Sequence, residues 1–79
     1  MAKRVKIYTT PACVFCKMTK EFFESNQVAY QEFNVAADAK AREEMISQSG
    51  QFGVPVTDVD GQLVIGFDKA RLSELLGIG

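Results

Sequence analysis

The stretch RVKIYTTPACVFCKMTKEFFES, residues 4–25, changes its hydrophobic period halfway along, and that change decides the architecture. Val5 and Ile7 point one way and Lys6 and Tyr8 the other, an alternation that predicts a strand, strengthened by its β-branched residues. Pro11 stops it. From about Val14 to Ser25 the pattern becomes helical. Phe15, Met18, Phe22 and Phe23 fall on one side, with Lys17, Lys20, Glu21 and Glu24 on the other. The two cysteines of the chain, Cys13 and Cys16, sit where strand gives way to helix.

The rest of the chain extends this start. VAYQEFNV, residues 28–35, predicts a second strand. Asp38 is placed to cap a second helix running to about Ser49, and Gly50 to end it. That helix is rather polar, with Ala41, Met45 and Ile46 as its apolar side, so it belongs on the outside. Residues 54–59 and 62–66 predict a β-hairpin around the two-residue turn Asp60-Gly61. Asp68 caps a final short helix with Leu72, Leu75 and Leu76 on its apolar face. The order β-α-β-α-β-β-α predicts an α/β fold. The first β-α-β makes strands one and two parallel, and the hairpin adds an antiparallel edge. The expected result is one domain over residues 1–79, a four-stranded mixed sheet covered by three helices.

Composition excludes several classes of function. The 79 residues carry 9 Lys and Arg against 10 Asp and Glu, a net charge of −1 with the signs mixed. No basic stripe suits a phosphate backbone, so nucleic acid is not an expected partner. The start MAKRVKIYTT is basic but lacks the apolar core of a signal peptide. No apolar run approaches the length of a membrane span. The expected setting is cytoplasmic, where thiols stay reduced, and the expected state a monomer.

Three chemistries compete for Cys13 and Cys16. A closed zinc site needs four ligands, mostly Cys and His; the chain has no His and no third Cys. A site shared between two chains stays open. A structural disulfide between positions three apart closes a very short loop, where the loop-entropy gain is near its minimum. Redox chemistry suits the position. Cys13 lies at a helix N-terminus, where unpaired N–H groups and the helix dipole favour a thiolate. Cys16 is one turn deeper, within reach of Cys13's sulfur. Cys13 then serves as nucleophile toward a disulfide and Cys16 as the resolving thiol. The spacing is a redox signature beside a βαβ pattern. Lys17 adds positive charge nearby, or is simply a solvated surface lysine.

A second feature concerns GVPV, residues 53–56. Proline cannot donate to a sheet ladder. Pro55 is either a strand-start proline or part of a cis Val54–Pro55 bond packed beside the cysteines. In the second case the backbone of Val54 is free to pair with an extended substrate.

Together, CVFC opening a helix, VP starting a strand and IGFD at 65–68 resemble a glutaredoxin-type member of the thioredoxin-fold superfamily. The resemblance covers essentially the whole chain. It implies that Cys13 is the nucleophile, Cys16 the resolving cysteine and Pro55 the cis-proline. It also implies that Val54 binds the substrate's cysteine segment, beside Val14, Phe15, Gly66 and Phe67. Members with this dithiol reduce protein disulfides, or mixed disulfides with glutathione. They hold no resident cofactor beyond the redox disulfide.

The departures from the family pattern bear on the reductant. Glutathione-using members typically carry CPYC, a basic residue shortly before it, TVP, and GG before a small residue and Asp. Here Val14-Phe15, Thr10, Gly53 and Phe67 take those places. Thr10, Gln51, Asp68 and Lys69 are the residues left to contact glutathione. The GF pair is similar to NrdH-type redoxins, which thioredoxin reductase reduces and which supply ribonucleotide reductase with electrons. The tail GFDKARL and the CVFC motif match neither subfamily cleanly. The leading expectation is a thioredoxin-like donor to protein disulfides. The alternatives are a glutathione-dependent glutaredoxin, a glutathione-ligated iron–sulfur module formed by two chains, and an interaction domain without chemistry. Phe15, Phe22, Phe23, Phe33 and Phe52 are expected in core or half-buried packing. Phe67 is either substrate-facing or packed.

Overall fold

The computed structural model describes residues 4–78. The first three residues of the basic N-terminal start lie outside them. The element order is β1 (Val5–Thr9), α1 (Val14–Ser25), β2 (Gln31–Asn34), α2 (Ala39–Ser49), β3 (Val56–Val59), β4 (Gln62–Ile65) and α3 (Lys69–Leu76). The strands form one sheet in the order β2-β1-β3-β4. β1 pairs parallel with β2 and antiparallel with β3, and β3 pairs antiparallel with β4. This is the mixed sheet the period changes predict.

Alternation along β1 builds two cores. Val5 and Ile7 join Phe23 of α1, Val59, Val64 and the α3 residues Leu72 and Leu75. Tyr8, on the other face, joins Val35, Val56 and the α2 residues Ala41 and Met45. Two helices therefore serve one face and α2 alone the other. The polarity of α2 follows: it buries only Ala41 and Met45.

Local signals terminate the elements. The Asp38 carboxylate accepts the Ala41 N–H at 3.1 Å, and Asp68 accepts that of Arg71 at 3.0 Å. These satisfy two of the orphan donors at the starts of α2 and α3. Gly50 ends α2 with φ of 72°, in the left-handed region that glycine enters without penalty. The hairpin turn has positive φ at both Asp60 (50°) and Gly61 (91°), as a type I′ turn requires.

Four expectations need correction. The second strand is shorter than 28–35. The Val28 N–H bonds back to the Phe23 carbonyl at 2.8 Å, closing the end of α1, so pairing with β1 begins only at Gln31. β3 begins at Val56, not Val54, and β4 ends at Ile65, not Gly66. The buried residues of α1 are Cys16, Thr19 and Phe23; of the expected stripe Phe23 is buried and Phe22 packs half-buried, whereas Phe15 and Met18 are exposed. Phe15 is 59% exposed and Phe52 75% exposed, so neither packs in the core. The helix is turned by its cysteine: placing Cys16 against the sheet rotates Phe15 outward. Among the described residues no helix is long and apolar enough to cross a membrane.

Candidate active site

The C-terminal end of β1 delivers the chain into a tight connection, Thr10–Ala12, that leads into α1. The Cys13 N–H donates to the Thr10 carbonyl at 3.3 Å, and Cys13 becomes the N-cap of α1. Its sulfur takes the role that a Ser or Asp oxygen plays at most helix starts. The Cys16 N–H donates to it at 3.1 Å.

The two thiols, both free, differ in access. Cys13 is half-buried, whereas Cys16 is 1% exposed. Burial pushes the Cys16 thiol up to about 12, and its hydrogen bond with Cys13 acts the same way. A backbone hydrogen bond with Thr10 and the charge of Lys20 pull it partly back. Cys16 therefore rests as the neutral thiol at physiological pH.

The loop before β3 forms the opposite wall. The Val54–Pro55 peptide bond is cis. The Val54 carbonyl lies 3.8 Å from the Cys13 sulfur and accepts from its thiol over that long contact. Gly66 donates its N–H to the Pro55 carbonyl at 2.8 Å, which brings the start of the Gly66-Phe67 pair alongside the proline. Val14 and Phe15, in the first turn of α1, are exposed, as is Phe52 two residues before Val54.

The residues expected to contact glutathione fare differently. Thr10 lines the same pocket as both cysteines. Gln51 is committed elsewhere: its amide nitrogen donates to the Gly53 carbonyl at 2.9 Å, and its amide oxygen accepts the Gly53 N–H at 2.8 Å. A Cβ at Gly53 would lie 2.7 Å from that oxygen, so the threonine of the family pattern would push the end of the Gln51 side chain out of this arrangement. The Asp68 carboxylate caps α3, and Lys69 beside it is exposed. Phe67 stands edge-on to Phe22, ring centres 6.0 Å apart, and is half-buried against the core.

Sequence reasoning missed three residues at this site. Thr9, Lys20 and Glu32 line the pocket with the cysteines. Glu32 accepts from the Thr9 hydroxyl at 2.7 Å and from Lys20 Nζ at 2.9 Å, both on Oε2. The Thr9 bond first, then Lys20, holds this carboxyl below the usual range. The only advance signal was the i, i+4 spacing of Cys16 and Lys20. Among the described residues no group of three or more His, Cys, Asp or Glu gathers as a metal site.

A mixed sheet with a Cys-x-x-Cys pair at the first strand–helix junction and a proline facing it defines a thioredoxin-fold redox protein. The family model for glutaredoxin matches residues 5–64. A glutaredoxin-like 8.6 kDa protein from the rubredoxin operon of Clostridium pasteurianum is 49% identical over 72 residues, covering 91% of this chain and 96% of that one. Glutaredoxin 3 of Escherichia coli is 39% identical over 64 residues, covering 81% of this chain and 77% of its own. The glutaredoxin-like NrdH-redoxin of Escherichia coli, whose structure was analysed for a thioredoxin-like activity profile, superposes with a TM-score of 0.82 at 28% identity, covering 91% of this chain and 93% of that one. The chain belongs to the glutaredoxin family and is a thiol redox protein.

Proposed function

We propose that this chain is a dithiol oxidoreductase that reduces disulfides in other proteins, with Cys13 as nucleophile and Cys16 as the resolving thiol. The observation that carries the reading is the Cys13 sulfur at the N-cap of α1, 3.1 Å from the Cys16 amide, with the Cys16 thiol buried one turn deeper. The Cys13 thiolate attacks one sulfur of the substrate disulfide. A Cys13–substrate disulfide forms, and the other substrate sulfur leaves with the electron pair. Cys16 then attacks the Cys13 sulfur, expelling reduced substrate and leaving a Cys13–Cys16 disulfide. The backbone of Val54, beside Cys13, holds the substrate segment as an extended strand. No resident cofactor takes part.

Several observations favour a protein substrate and a thioredoxin-like profile over glutathione. Val14 and Phe15, directly after Cys13 in the chain, form an exposed apolar rim, and Phe52 is exposed two residues before Val54. A protein partner covers such a rim, whereas a charged tripeptide gains little from it. The Gln51 amide is engaged by Gly53. We assign thioredoxin reductase as electron source and glutathione as the competing one. Ribonucleotide reductase is the candidate acceptor suggested by the resemblance to NrdH-type redoxins. The protein acts as a monomer in a reducing, cytoplasmic setting.

The test is a paired turnover assay on oxidised protein. One arm supplies NADPH and thioredoxin reductase; the other supplies NADPH, glutathione reductase and glutathione. Turnover confined to the first arm supports the assignment, and turnover confined to the second replaces it with a glutathione-dependent glutaredoxin. Cys13→Ser is expected to abolish disulfide reduction in either arm. Cys16→Ser is expected to accumulate the Cys13 mixed disulfide, seen as a mass increase that dithiothreitol removes.

A further inference from the structure

The Thr9, Lys20 and Glu32 cluster lies beside the cysteines yet has no part in the exchange chemistry as described above. The resolving step leaves a problem that this cluster addresses. Cys16 is buried, and burial disfavours its charged form, so the thiolate it needs in order to attack is costly to form. Lys20 follows Cys16 by four residues on α1, and side chains at that spacing are neighbours on one helix face. Lys20, Cys16 and Cys13 line one pocket. The Lys20 ammonium does not point freely into solvent: it bonds Glu32 Oε2 at 2.9 Å. That same oxygen accepts the hydroxyl of Thr9, which is 2% exposed. An exposed ion pair alone would carry little weight. Here a buried hydroxyl at the end of β1 orients the carboxylate, and the carboxylate holds the lysine over the pocket.

We propose that Lys20 assists the resolving step by placing its positive charge near the Cys16 sulfur as it ionises, with Glu32 and Thr9 as positioning residues that hold and moderate that charge. The inference rests on the oxidoreductase reading above. In the step, Cys16 loses its proton to solvent through the pocket, and its sulfur bonds to Cys13. The Cys13–substrate bond breaks, the substrate sulfur leaves with the electron pair, and it takes up a proton from solvent. Atoms and electrons balance with no further reactant. The charged and titratable groups of the pocket are Cys13, Cys16, Lys17, Lys20 and Glu32. Lys17 and Lys20 carry its positive charge, and among the described residues Lys20 is the one fixed by a partner on the sheet. The charge of Lys20 lowers the Cys16 pKa.

The opposite signs of Lys20 and Glu32 make the proposal testable. Reduced protein is mixed with Ellman's reagent in a stopped-flow instrument across pH 6–9. A first thionitrobenzoate is released as Cys13 is modified. A second is released as Cys16 resolves the mixed disulfide. Losing the lysine charge raises the Cys16 pKa and so lowers its thiolate fraction. The more basic thiolate is also more nucleophilic, which offsets about half of that on a logarithmic scale. Lys20→Met is therefore expected to slow the second phase and to move its pH profile to higher pH, with the first phase unchanged. Lys20→Arg restores the rate. Glu32→Gln, which keeps an oxygen for Thr9 and Lys20, shifts the profile to lower pH. A normal first phase with an unshifted second phase in Lys20→Met overturns the assignment of Lys20. So does a shift of the same sign in Lys20→Met and Glu32→Gln, which marks a structural effect. If Lys20→Met does not fold, Lys20→Gln takes its place. Absence of the first phase in the unmodified protein overturns the oxidoreductase reading, and the Lys20 role with it.

Discussion

Cys16 ties stability to pH through a single buried thiol. Its folded pKa, about 12, lies above that of an unfolded cysteine, near 8.5. The stabilisation from the protonated form is thus complete below about pH 8.5 and is lost as pH rises toward 12. Reduced protein is expected to lose urea resistance over that window, and Cys16→Ala to lose less. Equal pH slopes for the two would contradict the burial argument. Thr57 presents the opposite case. It is fully buried on β3, and its hydroxyl finds no hydrogen-bond partner among the described residues. An unsatisfied buried hydroxyl is destabilising, and valine has the same shape. Thr57→Val is expected to raise the unfolding free energy by about 1 kcal/mol in urea titrations.

Helix and strand ends carry their own consequences. α2 and α3 begin at aspartates whose carboxylates bond the third amide of the helix. α1 begins at Cys13 and uses sulfur for the same purpose. The nucleophile is therefore also a cap, and substitutions there separate the two roles. Cys13→Ser keeps an oxygen acceptor and Cys13→Ala keeps none, so Ser is expected to be the more stable of the two inactive variants by about 1 kcal/mol. Equal stability would show that the Cys16 amide needs no acceptor at position 13. The loop before β3 is held by the Gln51 amide on the Gly53 backbone. Gly53→Thr is expected to break that ring, because its Cβ would meet Gln51 Oε1 at 2.7 Å. If the freed amide contacts glutathione, the variant gains turnover with glutathione and glutathione reductase; if turnover is unchanged, Gln51 has no such role.

Both cores close on few side chains, as expected of 79 residues. Phe23 is fully buried, stands among β1, β3 and α3 residues, and its ring approaches those of Phe22 and Tyr30. Truncating a buried Phe costs about 3–5 kcal/mol, against a total stability of roughly 4–12 kcal/mol for this length. Phe23→Ala is expected to lower the unfolding free energy by about 3–5 kcal/mol, a large share of that total, read as a lowered melting temperature by far-ultraviolet circular dichroism.

Local pattern carried most of this architecture. The shift from period two to period 3.6 across residues 4–25, the Asp caps, the glycine stops and the Asp60-Gly61 turn are short-range signals, and each acts within a few residues. They were enough for the element order, for parallel and antiparallel pairing, and for the position of the cysteines at a helix start. Two kinds of fact depended on contacts between distant segments. One is the rotation of α1: periodicity marks an apolar stripe but cannot weigh a small buried Cys16 and Thr19 against an exposed Phe15. The choice is made by the space left against the sheet. The other is the joining of Thr9, Lys20 and Glu32. They come from three elements, and parallel pairing of β1 with β2 sets Glu32 opposite Ile7, close to Thr9 and under α1. Charge and hydrogen bonding between residues so separated in the chain have no sequence period. They exist only once the sheet has registered its strands.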